Sequence, residues 1–188
     1  KSLLDKDPDT QLAAANTLRI LGKAANDAVI DLLLLTGSSN SQLAWAGQRG
    51  AMTISPGIIP LKEATINQII QRLPDLKWQN LAITVLSRNP SALAPLSEIA
   101  LDSNASTMLR VPALQVLGTV GVKDEGLLQQ IINLALVDNE PFLIKVAVAN
   151  FLKTVDFSQF PSLEVQANQA IANNPLRYYL AEDKIAIQ

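Results

Sequence analysis

The sequence predicts an all-α chain in which about five helix pairs stack one on the next, and three observations carry that prediction. Apolar residues recur at i, i+3, i+4 spacing in stretch after stretch, the stripe of a helix with one buried face. Strand-like alternation appears nowhere in the 188 residues. Two apolar columns also return along the chain with a period near that of helix-pair repeats. The clearest unit runs from Leu109 to Gly118, and Leu117 within it has counterparts at Leu21, Ile54, Leu86 and Leu152. Those positions are 33, 32, 31 and 35 residues apart. A second column, Leu12, Trp45, Trp78, Leu109 and Ile144, keeps the same phase. Helices of roughly 10 to 15 residues are marginal alone in water, so each must bury its stripe on its neighbours.

The first helix reads as the second member of a broken pair. Asp9 is placed as its cap, Ala13-Ala14-Ala15 and Leu18 lie in its body, and Leu21-Gly22 closes it. The stripe Val29, Ile30, Leu33, Leu34 follows, and Gly37-Ser38-Ser39-Asn40 breaks it. Ser39 and Gln42 have the spacing of a capping box for the next helix, which carries Trp45 and Ile54 and stops at Ser55-Pro56-Gly57 and Pro60. Ile66, Ile69, Ile70 and Leu73 form the next stripe, followed by Pro74-Asp75, the Trp78 to Leu86 helix and Asn89-Pro90. Leu93, Leu96, Ile99 and Ala100 precede the turn Asp102-Ser103-Asn104. The next helix contains Pro112, which lacks an N–H and predicts a bend near Met108. Gly118 to Gly121 should end that helix in a left-handed conformation. Leu128, Ile131, Ile132 and Ala135 make a further stripe, and Pro141 sits at an early helical position before Ile144 to Leu152. Asn173-Asn174-Pro175 ends the pattern, giving about eleven helices. The expected organisation is a solenoid over residues 1–175, with 176–188, including Arg177-Tyr178-Tyr179-Leu180, as a cap or a linker to a following segment.

Composition removes most catalytic chemistries. The chain has no Cys and no His, so it offers no thiol nucleophile, no imidazole base, no Ser-His-Asp triad and no usual zinc site. Hydrophobic residues make up 48%, but aromatics only 4% and charged residues 17%, so Ala, Leu, Ile and Val must build the core. A net charge of -2 and a pI near 5.1 argue against a nucleic-acid partner. No apolar run approaches the roughly 20 residues of a membrane span. Opening at Lys1 without an initiating Met, the chain reads as a piece of a longer protein. The lack of Cys, with many Asn, Gln and Ser, leans towards an exported or periplasmic setting.

Several local patterns fail the test of the chemistry they suggest. Asp5, Asp7 and Asp9 have the spacing that opens a calcium loop, but Thr10 stands where Gly is needed and Asn16 where a bidentate Glu is needed. Asp124-Glu125 and Glu182-Asp183 are adjacent pairs, unable to face each other across a cleft, and suit a helix start. Gly118-Thr119-Val120-Gly121 has no following Lys and no preceding strand, so it is no phosphate loop. Asn104-Ala105-Ser106 is a formal glycosylation sequon in a turn. No catalytic, cofactor-binding or metal-binding residue is assigned.

Asp102 followed by Leu109-Arg110-Val111-Pro112-Ala113-Leu114 and Leu117-Gly118, and Asp138 with Ile144-Lys145-Val146-Ala147, resemble HEAT-like or armadillo-like repeats. Asp7-Pro8-Asp9 with the alanine run and Leu21-Gly22 fits more loosely, with Ala13 in the basic position; the Trp45 and Trp78 units depart further, with Ala46 and Gln79 there. The resemblance implies a right-handed α–α superhelix whose second helices line a concave face. On that face it places Trp45, Gln48, Arg49, Trp78, Gln79, Arg110 and Lys145 as candidate partner-binding residues. Four of them also have a structural reading. The shared column favours packing for Trp45 and Trp78, while Arg110 with Asp102 and Lys145 with Asp138 suit turn-tying pairs. Gln48, Arg49 and Gln79 remain the stronger contact residues. The expected function is a non-catalytic scaffold that binds a protein or peptide segment. The alternative is an accessory or spacer domain of a larger enzyme, packed on neighbouring domains of the same chain. An enzyme in its own right, such as a HEAT-like DNA glycosylase or a bilin lyase, is the least favoured reading, and the acidic balance argues against a glycosylase groove.

Overall fold

A computed structural model of the chain describes residues 2–36, 38–54, 61, 63–76 and 79–173. All regular structure among these residues is helical: ten α-helices, with short 3₁₀ segments and no strand. Contacts group the chain into two compact units, Lys1–Leu93 and Ala94–Gln188. The first carries α1 (Pro8–Leu21), α2 (Val29–Leu35), α3 (Ser41–Ile54), α4 (Glu63–Ile70) and α5 (Gln79–Ser87). The second carries α6 (Leu93–Leu101), α7 (Thr107–Val120), α8 (Glu125–Leu136), α9 (Phe142–Leu152) and α10 (Pro161–Ala172). Residues 176–188, expected to form a cap or linker, lie outside the described residues.

The helix starts are set by side chains that accept otherwise unpartnered backbone N–H groups. At α1 the cap is Asp7, not Asp9: its carboxylate accepts from the backbone of Asp9 and Thr10 and from the Thr10 hydroxyl. Pro8 explains the shift, since a proline occupies the first helical position without losing a hydrogen bond and so places the cap one residue before it. At α3 the cap is Asn40 rather than Ser39; its side-chain oxygen accepts from the N–H groups of Gln42 and Leu43. Asp124 caps α8 through the Leu127 N–H, with Glu125 in the first turn, as the acidic pair suggested.

In the first unit α3 packs on both α1 and α2, α2 also meets α4, and α5 packs on α3 and α4. The predicted stripe Ile66, Ile69, Ile70, Leu73 is buried whole. On α2 the buried set is Val29, Leu32, Leu33 and Leu35, with Leu34 exposed, because this short helix is covered by α3 and α4 and buries a wider arc than one stripe. The α2–α3 contact depends on glycine. A Cβ on Gly47 would fall on the Leu32 carbonyl oxygen and lie 2.8 Å from Leu35 Cβ, so the backbones approach as closely as they do only without one. Asn89, fully buried, accepts from the Leu61 N–H and donates to the Val85 carbonyl, holding the segment before α4 against the end of α5.

In the second unit α7 packs on α9, and α8 on α9 and α10. Leu128, Ile131, Ile132 and Ala135 are all buried, as their spacing predicts. α7 runs as one helix through Pro112, whose ring is buried, and ends at Gly121 rather than Gly118. Gly121 has φ +84°, a conformation that side chains rarely adopt, while its N–H still bonds back to Leu117. Gly118, inside the helix, faces Phe151 and Thr154 instead. Of the predicted Leu column, Ile54, Leu86, Leu117 and Leu152 are buried, but Leu21 is 55% exposed.

Arg110 is the largest fully buried side chain in the chain's described core, at 2% exposure. Its partner is Glu140, not Asp102. Nη1 and Nη2 donate to the two Glu140 carboxylate oxygens at 3.0 and 3.2 Å, and Nε donates to the Ala100 carbonyl at 3.1 Å. Asp102 is occupied in its own turn, accepting from the Asn104 N–H. One guanidinium therefore ties the end of α6, the body of α7 and the turn before α9. Its planar fork suits this bidentate role better than an ammonium would.

Candidate functional site

The site is built on α3. Leu43, Ala46, Gly47, Gly50, Ala51 and Ile54 form the face turned to the rest of the unit, and helical geometry puts Gln42, Trp45, Gln48 and Arg49 on the outside. Trp45 is 57% exposed, so the packing role favoured from its column does not hold. Its counterpart Ile144 is fully buried. Four residues after Trp45, one turn on, the Arg49 guanidinium carbon lies 4.5 Å from the centre of the indole ring. A cation over an exposed indole is worth about 0.5–1 kcal/mol.

Trp45 and Ser41 stand between two open cavities. One, of about 560 Å³, lies between α1 and α3, with Leu12, Asn16 and Gln42 on its walls. The other, of about 510 Å³, lies between α3 and α5 and reaches Thr36 at the end of α2, with Gln48, Met52, Asn80 and Thr84 on its walls. Both are open grooves with apolar floors and amide side chains on either wall. The second unit has a comparable groove of about 350 Å³ between α7 and α9, where Gln115 faces Asn150.

The other candidates fall elsewhere. Gln79 is half-buried, and its side-chain amide donates to the Leu73 carbonyl at 2.8 Å, closing the turn ahead of α5. Arg110 is inside the second unit and is consumed by Glu140, so burial removes it from any contact surface. Lys145 reaches the expected residue, Asp138, but through its backbone carbonyl at 3.2 Å. Trp78 lies outside the described residues. Of the seven candidates, Trp45, Gln48 and Arg49 are brought together on one exposed face.

The groove residues that sequence reasoning missed, Asn16, Asn80, Gln115 and Asn150, share a signal with Gln48, which it did place. Asn16, Gln48, Asn80, Gln115 and Asn150 are all exposed, one on each of α1, α3, α5, α7 and α9, at intervals of 32 to 35 residues. A threonine column accompanies them. The hydroxyls of Thr17, Thr53, Thr84 and Thr119 each donate to the carbonyl four residues back, at 2.7 to 3.0 Å. These hydroxyls are satisfied within their own helices. The amides are not, and none of the five makes a side-chain hydrogen bond among the described residues. Each can donate and accept at once, matching the alternating N–H and C=O groups of a peptide backbone. Charge is sparse here: from Leu32 to Leu61, Arg49 is the only charged residue.

No family model matches the chain, and no curated protein is significantly similar to it.

Proposed function

We propose that this chain is a non-catalytic binding scaffold. Its helices act as successive HEAT-like pairs stacked within each unit, and the grooves between second helices receive a protein or peptide segment. The observation that carries the reading is the exposed Trp45 between two amide-walled grooves. An indole with most of its surface in water brings a large contact area with little side-chain entropy to lose, the usual property of an interface anchor. Grooves formed by packed helices are also pre-organised, which lowers the ordering cost of binding. The alternation of elements supports the pairing: α2, α4, α6, α8 and α10 start at residues 29, 63, 93, 125 and 161, close to the period of the sequence columns.

Selection of a random linear peptide library on the immobilised chain tests this. Peptides should be enriched that bind the parent and lose about tenfold or more in affinity to Trp45→Ala combined with Gln48→Ala. Thermal unfolding of that variant should stay within a few degrees of the parent, because both side chains are exposed and only the Arg49–indole contact is given up. Failure to enrich any peptide, or binders indifferent to both substitutions, would overturn the reading.

A further inference from the structure

The second step concerns what the Trp45 ridge selects, and it rests on the binding reading above. Arg49 is exposed, is held over the indole of Trp45, and pairs with no carboxylate among the described residues. It contrasts with Arg110, whose donors are all directed to partners inside the fold. The sequence around Arg49 contains no acid to compete for it: α3 and α5 hold no Asp or Glu, and the segment from Leu32 to Leu61 holds no other charge at all. In a chain of net charge -2, this is a cation standing in a stretch cleared of anions.

We propose that Arg49, seated on Trp45, is the recognition point for an Asp or Glu side chain of an extended peptide segment that crosses from the α1–α3 groove to the α3–α5 groove. Three observations select this occupant. Stacking restricts the guanidinium while leaving its N–H groups free to donate, so less entropy is lost when a carboxylate binds the fork. The guanidinium already covers part of the indole, which disfavours a sugar ring stacked on that face and turns the surface towards charge recognition. Trp45 and Ser41 line both grooves, and Arg49, which lines neither, is tied to them by its seat on Trp45; a strand that fills both grooves therefore passes the guanidinium with an internal side chain and not with a chain terminus. Asn16 and Gln42 on one side, with Gln48 and Asn80 on the other, supply the backbone contacts that hold such a strand.

The test uses the whole chain and amidated random peptide pools with one central position held as Glu, Asp, Gln or Lys. A fifth pool carries central Gln with a free C-terminal carboxylate, and an acidic oligosaccharide serves as a separate probe. Fluorescence polarisation should show the Glu and Asp pools binding about tenfold more tightly than the Gln pool, the size of one charge-assisted contact. Lys should bind weakest. Arg49→Gln should abolish the preference, bringing the ratio of Glu-pool to Gln-pool affinity to about one, while the melting temperature falls by no more than a few degrees for the lost indole contact. Arg49→Lys should retain part of the preference, since it keeps the charge but loses the fork. Binding without any preference for Glu or Asp, or a preference that survives Arg49→Gln, overturns the acidic-segment proposal and leaves the scaffold reading standing. Preference for the free C-terminal carboxylate over the internal Glu overturns it as well. No binding of any pool, with or without binding of the oligosaccharide, overturns both.

Discussion

Replacing Arg110 with Met should be among the most damaging single changes in the second unit. The substitution removes three donors, leaves the Ala100 carbonyl without its side-chain partner, and strands the Glu140 carboxylate, whose side chain is 10% exposed beside a position that is 2% exposed. Removing one member of a buried, hydrogen-bonded ion pair costs about 3–5 kcal/mol, chiefly the penalty of leaving the other charge unpaired. With a urea slope of about 2 kcal/mol per molar, the midpoint should fall by about 1.5–2.5 M. The assay can separate the two units, because both tryptophans, Trp45 and Trp78, precede residue 93. Tryptophan emission therefore reports on the first unit, and far-ultraviolet circular dichroism on both. The loss should appear in the dichroism transition. Combining Arg110→Met with Glu140→Leu should recover most of it, since an apolar pair of similar volume replaces the ion pair without stranding a charge. A loss below about 1 kcal/mol for Arg110→Met would refute the argument, as that is the range of exposed pairs. So would a double variant no more stable than the single one.

Two further outcomes follow from close contacts and from titration. Gly47→Ala should cost about 1–3 kcal/mol through overpacking, because its Cβ meets backbone that cannot move alone. Gly50→Ala should cost clearly less, since its new methyl lies 2.9 Å from the end of the Leu32 side chain, which can rotate away; urea unfolding followed by tryptophan emission compares the two. Asp7 is held below the ordinary carboxylate value, first by the Thr10 hydroxyl and then by backbone N–H groups. A folded-state pKa below the unfolded one means that this contribution is fully present above the unfolded value near 3.8 and is lost as pH falls through the folded value. The stability difference between the parent and Asp7→Asn should therefore shrink as acid is added below that point, and melting temperatures recorded from neutral to acidic pH would show it. A difference that grew on acidification would reverse the assignment.

Local patterns were readable wherever local forces decide. The stripes at Ile66 to Leu73 and Leu128 to Ala135 are buried as their spacing predicts, and the turns at Pro74-Asp75, Asp102-Ser103-Asn104 and Asp138 to Pro141 separate helices where they were placed, while Gly37, Ser55-Pro56-Gly57, Pro60 and Asn174-Pro175 lie outside the described residues. Caps were misplaced by one or two residues because several polar side chains compete at each start. At α1 two acids compete, Asp7 and Asp9, and Pro8 decides for Asp7 by occupying the first helical position directly after it. The amide column was present too, hidden because its members alternate between Asn and Gln and occupy the exposed face, where no apolar pattern draws attention to them.

The residues alone therefore settled that the chain is helical and where most helices begin and end, because hydrogen bonding, propensity and the 3.6-residue period act within a few neighbours. Tertiary structure decided what each side chain is for. Glu140 lies thirty residues from Arg110, and only the folded second unit brings it to the guanidinium ahead of the nearer Asp102. Trp45 and Ile144 share a sequence column, yet one is 57% exposed and the other is buried, because burial depends on which helices lie against that face. A period records where a position falls along the helices, and only packing records what covers it.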